Sequence, residues 1–241
     1  MLIERAYAHL PPELQGEEGR RWPWSVPCVR QLLDDGGLRF SAPVTFLVGE
    51  NGSGKSTLVE GLAEGFGLDP YGGRAGYRHV SDRARSPLGE RVRFDATASG
   101  RRMVRGPRTG RRGFFLRAET AMHALEGEGV PVHDVSHGEG FLAAFQEHFR
   151  RPGLYVLDEP EAALSFASCL QLVGLLHQLA DSGSQIVCAT HSPLLTALPG
   201  AQILEVDERG AHPAEWHELA LVDHWRRYLA DPRAYLRHIC E

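Results

Sequence analysis

Apolar residues recur along this chain in two rhythms. Residues 45–48 (TFLV), 154–157 (LYVL), 185–189 (QIVCA) and 202–206 (QILEV) are short runs with the length and branched side chains of strands buried on both faces. Longer stretches place apolar residues three or four apart. Leu58, Leu62 and Phe66 share a face over 58–66, and Phe166, Leu170, Val173 and Leu176 do so over 162–180. Further helices are expected at 120–125, at 139–149 and at 218–239, the last broken near Asp231 and Pro232. Strand and helix alternate, which predicts an α/β fold: a mainly parallel sheet with helices on both faces. Between 72 and 117 the alternating runs 91–95 and 101–104, set among glycines and arginines, predict an antiparallel β subregion with loops.

The 241 residues, 42% of them apolar, suffice for one full core, so a single domain over 1–241 is expected, with 72–117 as an arginine-rich subregion and 118–150 as a reduced helical lobe. No apolar run approaches the ~20 residues of a membrane span. Glu4 and Arg5 interrupt the amino terminus where a secretory leader would be apolar, so a cytoplasmic location is expected and a membrane role is not. Cys28, Cys169, Cys188 and Cys240 stand far apart without a CxxC pair, as buried free thiols do.

The net charge of −5 says little, but the cations are one-sided: 25 of the 26 basic residues are arginine and the single lysine is Lys55. That lysine falls in residues 49–57, GENGSGKST, which fill the pattern GxxxxGK[ST] between a predicted strand and a predicted helix. Glycines let the backbone amides of Asn51, Gly52, Ser53, Gly54, Lys55, Ser56 and Thr57 converge on anionic oxygens, and the helix dipole adds to them. Lys55 would reach the β- and γ-phosphates, and Ser56 would offer its hydroxyl to Mg²⁺.

Hydrolysis needs carboxylates as well. The run LYVLDEP ends its strand in Asp158, expected beside the strand that feeds the glycine loop and suited to the Mg²⁺ shell, and Glu159 follows where it can face an attacking water. The same two acids would also serve simply to cap the next helix. His191, in CATHSP, ends the next predicted strand at the edge where open α/β sheets bind ligands.

With these residues in hand, the chain resembles the ABC-type ATPases, in their soluble, stand-alone bacterial branch and with features of SMC-like proteins. The matching motifs run in order: the Walker A segment 49–57, a signature-like Ser136-His137-Gly138-Glu139-Gly140, the Walker B pair Asp158 and Glu159, a D-loop at 161–165 (EAALS) and the switch histidine His191. The resemblance implies ATP and Mg²⁺ as cofactors, ATPase activity with Glu159, His191 and Lys55 as its catalytic groups, and a head-to-tail homodimer formed with ATP. Ser136 and Gly138 of one copy would then cap the γ-phosphate held by the other; read locally, Ser136 and Glu139 also form a capping box. Glu119 stands near the position of the family's metal-sensing glutamine, a third candidate metal ligand beside Ser56 and Asp158. Trp22 or Trp24 would stack on adenine, although the stretch RRWPWSVP serves equally well as packing. Only 16 residues separate Glu119 from Ser136. That leaves no room for a transporter's helical lobe or for an SMC coiled coil, so the ATP-binding subunit of a membrane transporter is an alternative with less support.

From Arg74 to Arg117 the chain has 13 arginines against Asp82, Glu90 and Asp95, a local excess of ten charges. Arginine forks bind phosphates bidentately, so a nucleic acid is a candidate partner and a repair or defence ATPase an alternative function. An unknown protein partner and an ATP-binding module without turnover complete the alternatives.

Overall fold

The computed structural model describes the chain except for residues 12–15, 17, 35, 70–71, 75–85, 107–109, 118–141, 143–144, 147–148, 150, 238 and 240–241. The helix expected at 120–125 and most of that at 139–149 lie outside the described residues, although Leu142, Phe145 and Gln146 are helical.

The main sheet has the order β10-β9-β3-β8-β7-β6-β4, formed by Gly210–Pro213, Gln202–Asp207, Val44–Val48, Gln185–Thr190, Leu154–Asp158, Gly113–Arg117 and Gly73–Arg74. Strands β9, β3, β8, β7 and β6 run parallel, and β10 and β4 are antiparallel edges. A second, antiparallel sheet has the order β2-β1-β5, formed by Leu38–Arg39, Ile3–Ala8 and Val92–Ala96.

Period-2 alternation divides the apolar strands between two cores. Leu47, Val156, Val187 and Ala189 face helix α2 (Lys55–Phe66) and the second sheet, where Leu58, Leu62 and Phe66 meet them. Phe46, Leu157, Ile186 and Cys188 face the other way, onto the helix Phe166–Asp181. Short helices α1 (Pro27–Arg30), α3 (Pro87–Arg91) and α4 (Arg101–Arg105) lie before it in the chain, which makes it α5; α6 (Ala220–Ala230) and α7 (Pro232–Leu236) follow, broken at Asp231 as expected. No helix among the described residues is long and apolar enough to cross a membrane.

Three expectations change. Residues 101–104 form helix α4 rather than a strand: the Thr97 hydroxyl accepts from the Gly100 amide at 2.9 Å and Val104 N–H closes a turn onto Gly100, so a capped turn outweighs the alternation. The buried face of α5 is rotated, with Cys169, Leu172, Leu176 and Leu179 inside, while Phe166 and Leu170 are exposed. Finally, the strand carrying Asp158 is not the neighbour of the strand that feeds the glycine loop. Strand β8 runs between them, pairing Val48 with Thr190 on one side and Asp158 with Ala189 on the other.

Buried Gln185 joins the two sheets. Its Oε1 accepts from the Leu2 and Ile3 amides at 2.8 and 2.7 Å, and its Nε2 donates to the Ile3 carbonyl at 3.0 Å. Gln185→Ala strands three buried backbone groups and should cost roughly 2–4 kcal/mol, read as a lowered urea midpoint.

Candidate functional site

The parallel strands end along one edge, and the site lies there. Strand β3 stops at Val48 and the chain curls through Gly52 (φ 82°) and Gly54 (φ 97°), a conformation open to glycine and costly for other residues. Gly54 is also confined, because a Cβ there would come within 2.2 Å of Val26 Cγ1. Helix α2 then starts with no side-chain cap, so its first amides have no carbonyl one turn back and no capping oxygen. The buried Ser53 hydroxyl has no protein partner among the described residues. Such a start, at the positive end of a twelve-residue helix, can cradle an anion.

Lys55 is buried at 3% exposure, and its Nζ donates to the carbonyls of Gly49 and Glu50 at 2.7 and 2.8 Å. Burial pulls its pKa below the ordinary lysine value, opposed by the charges of Glu159 and Asp158. Beneath the loop the Cys28 thiol contacts the Ser53 carbonyl at 3.7 Å, and burial pushes its pKa up to about 11, so it is a neutral floor.

From the first turn of α2, Ser56 Oγ reaches over the end of β8 and donates to Asp158 Oδ1 at 3.1 Å. Two oxygens from separate elements thus meet, as a hard divalent cation requires. Burial raises the Asp158 pKa to about 6, against the lowering effects of the Ser56 hydrogen bond and of Arg117, whose Nε lies 3.9 Å from Oδ2. Between about pH 4 and pH 6 the folded state holds a proton that the unfolded state has released, so stability falls as pH rises through that window. Asp158→Asn should therefore stabilise the chain by about 2–3 kcal/mol at pH 7 and flatten this part of the pH profile, as urea titrations at pH 4.5 and 7.5 would show.

Glu159 is the one non-glycine residue among those described with a left-handed backbone, φ 51° and ψ 50°. The following Pro160 disfavours the right-handed helical region for it, and its amide is tied to the Ala189 carbonyl at 2.9 Å. Such a conformation costs ~1–3 kcal/mol and persists where the surroundings impose it. It brings Glu159 Oε1 to 3.0 Å from His191 Nε2, close enough to pair when the ring is protonated.

The structure therefore brings together Lys55, Ser56, Asp158, Glu159 and His191. Glu119, Ser136 and Gly138, with the rest of the 136–140 motif, lie outside the described residues. The two tryptophans separate: Trp24 is 4% exposed within the core, which removes it as a stacking face, whereas Trp22 is 63% exposed. Cys28, Cys169 and Cys188 are buried free thiols; Cys240 lies outside the described residues.

Three residues at this edge were not among the candidate site residues. Arg117 ends β6, with Nη1 3.5 Å from Glu60 Oε2 and its Nε beside Asp158. Glu161, in the turn Pro160–Ala163, accepts at Oε1 from the Thr190 hydroxyl at 2.5 Å and the His191 amide at 2.6 Å. Thr190 in turn accepts at Oγ1 from the Ser192 amide at 3.0 Å. The legible trace of Glu161 was its place as a third acid, after Asp158 and Glu159, at the start of the D-loop EAALS.

Comparison with known proteins agrees with this geometry. Residues 119–197 match the family described as "AAA domain, putative AbiEii toxin, Type IV TA system". The chain is 31% identical over 182 residues to the cytochrome c biogenesis ATP-binding export protein CcmA of Rhizobium meliloti, covering 66% of this chain and 82% of that protein. It is 30% identical over 198 residues to the zinc import ATP-binding protein ZnuC of Alkalilimnicola ehrlichii, covering 81% and 74%. It is also 30% identical over 189 residues to the ABC multidrug transporter SNQ2 of Candida glabrata; there the match covers 70% of this chain but only 12% of that much longer protein. Glycine loop, lysine, strand-end carboxylates and adjoining histidine, together with this similarity, place the chain in the ABC-type P-loop ATPase family.

Proposed function

We propose that the chain hydrolyses ATP with Mg²⁺, and that two copies enclose the nucleotide head to tail. The carrying observation is the convergence at one sheet edge of an uncapped helix start with Lys55, the Ser56–Asp158 contact at 3.1 Å and the Glu159–His191 approach at 3.0 Å. The loop amides and Lys55 bind the phosphates; Ser56 and Asp158, with Glu119 as a further candidate, hold Mg²⁺. The metal, when bound, neutralises charge on the phosphate oxygens. Glu159 orients the attacking water and takes up its proton, and His191 Nε2 steadies the γ-phosphate region, so catalysis is positioning plus charge stabilisation. Ser136 and Gly138 of the second copy close the site. The test is phosphate release from MgATP by the purified chain; tight ATP retention without release would instead mark a binding module.

Exposed Trp22 is the base-stacking candidate, since it precedes the segment whose Val26 packs on Gly54. Trp22→Ala should weaken ATP binding about fivefold to tenfold, by fluorescent-nucleotide titration, while leaving kcat nearly unchanged.

A second reading has its own observation. Of the described arginines between Arg74 and Arg117, Arg93, Arg101, Arg102 and Arg112 are exposed, whereas Arg111 and Arg117 are drawn into internal contacts. A nucleic-acid partner on this surface predicts affinity that falls steeply with salt. Flat salt dependence in anisotropy with DNA and RNA argues against it.

A further inference from the structure

We infer that Glu161 is a positioning residue for hydrolysis, holding the switch histidine in register with the carboxylate that faces the water. The inference rests on the hydrolytic reading above. Its basis is a part-buried junction between two loops that approach the reacting edge from neighbouring strands. Glu159 leaves β7, His191 leaves β8, and their side chains lie 3.0 Å apart. That contact joins two part-exposed side chains and does not by itself tie together the backbones behind them. Glu161 does: two residues beyond Glu159, it uses one oxygen to accept both the Thr190 hydroxyl at 2.5 Å and the His191 amide at 2.6 Å.

These are charge-assisted bonds, short and directional. They bind the peptide that carries His191 to the turn that carries Glu159, so neither loop shifts without the other. The Glu159 backbone adds a second tie, its amide on Ala189 at the end of β8. Oε2 of Glu161 is buried and accepts from no donor among the described residues, so the clamp uses Oε1 alone. An amide side chain of the same length retains that oxygen. Aspartate is one methylene short of it, and alanine leaves the His191 amide and the Thr190 hydroxyl without their acceptor.

The experiment compares wild type with Glu161→Gln, Glu161→Asp and Glu161→Ala, reading kcat, KM for MgATP, and hydrogen exchange over residues 190–192. Alanine and aspartate should lower kcat about 30- to 100-fold, the scale of an ångström-level misplacement, with KM within threefold and exchange at the His191 amide at least tenfold faster. Glutamine should keep kcat within about threefold and exchange as in wild type. Alanine with kcat within threefold of wild type, or glutamine as damaging as alanine, would overturn the inference. Failure of the hydrolytic reading shows separately, as wild type that binds MgATP and releases no phosphate; that result would remove the role assigned to Glu161 with it.

Discussion

Lys55→Met should reduce ATP affinity by at least about 100-fold while leaving the fold as stable as before or slightly more so. The two halves of this result come from one observation. The Lys55 ammonium is buried against two loop carbonyls, and desolvation depresses its pKa, so the folded apo state carries a charge that would be better solvated in the unfolded chain. A group whose charged form folding disfavours is a cost to stability, and a neutral side chain of similar length lifts that cost. A bound triphosphate reverses the balance, because anionic oxygens accept from the ammonium through charge-assisted bonds of ~1.5–3 kcal/mol each, stronger than those to the neutral loop carbonyls. Lys55→Ala should lose binding to the same extent. Calorimetric titration with ATP and thermal unfolding of the same samples check both halves, and lost binding accompanied by lost stability would mean that the loop had collapsed.

Glu159→Gln should keep ATP affinity within about threefold of wild type and lower kcat by about 10² to 10³, the usual contribution of a positioned base. Length and shape are retained and only the proton acceptor is removed. The left-handed backbone is no obstacle, since glutamine occupies it at the same cost as glutamate. Because hydrolysis is the step that would release two copies from each other, this variant should elute as a dimer with ATP and as a monomer without it. Measured by phosphate release and size-exclusion chromatography, an unchanged turnover rate would remove Glu159 from its role.

The residues that cluster at the sheet edge were legible because their chemistry is carried by residue type and order: a lone lysine in a glycine loop, two acids closing an apolar run, a histidine closing another. Strands β3, β7 and β8 were legible because they are buried on both faces and read as apolar runs, and β9 by a similar run, whereas β6, parallel to β7, lay in the stretch expected to be antiparallel. Strand β1 was missed, since IERAYA mixes charge into its alternation and its pairing with β5 shifts register between Ile3 and Arg5. The β9–β10 hairpin was missed too, though Asp207-Glu208-Arg209-Gly210 is a turn with glycine where φ reaches 106°. Spatial order resisted reading most. That β8 separates the loop strand from the Asp158 strand follows from long-range pairing, and with it come the Glu159–His191 approach and the Glu161 clamp. The helical stripe of α5 was assigned one face off because Phe166 and Leu170 have the right spacing and yet face outward.

The central claim is that the start of α2 and the end of β7 share one metal-bound triphosphate, and a double-mutant cycle measures that directly. ATP affinity is titrated with Mg²⁺ and with EDTA for wild type, Ser56→Ala, Asp158→Asn and the double variant. If both oxygens hold one cation, each single variant removes most of the Mg²⁺-dependent gain and the double variant loses little more, with a coupling of at least about 1 kcal/mol. Additive losses, or wild-type affinity that does not respond to Mg²⁺, would contradict it.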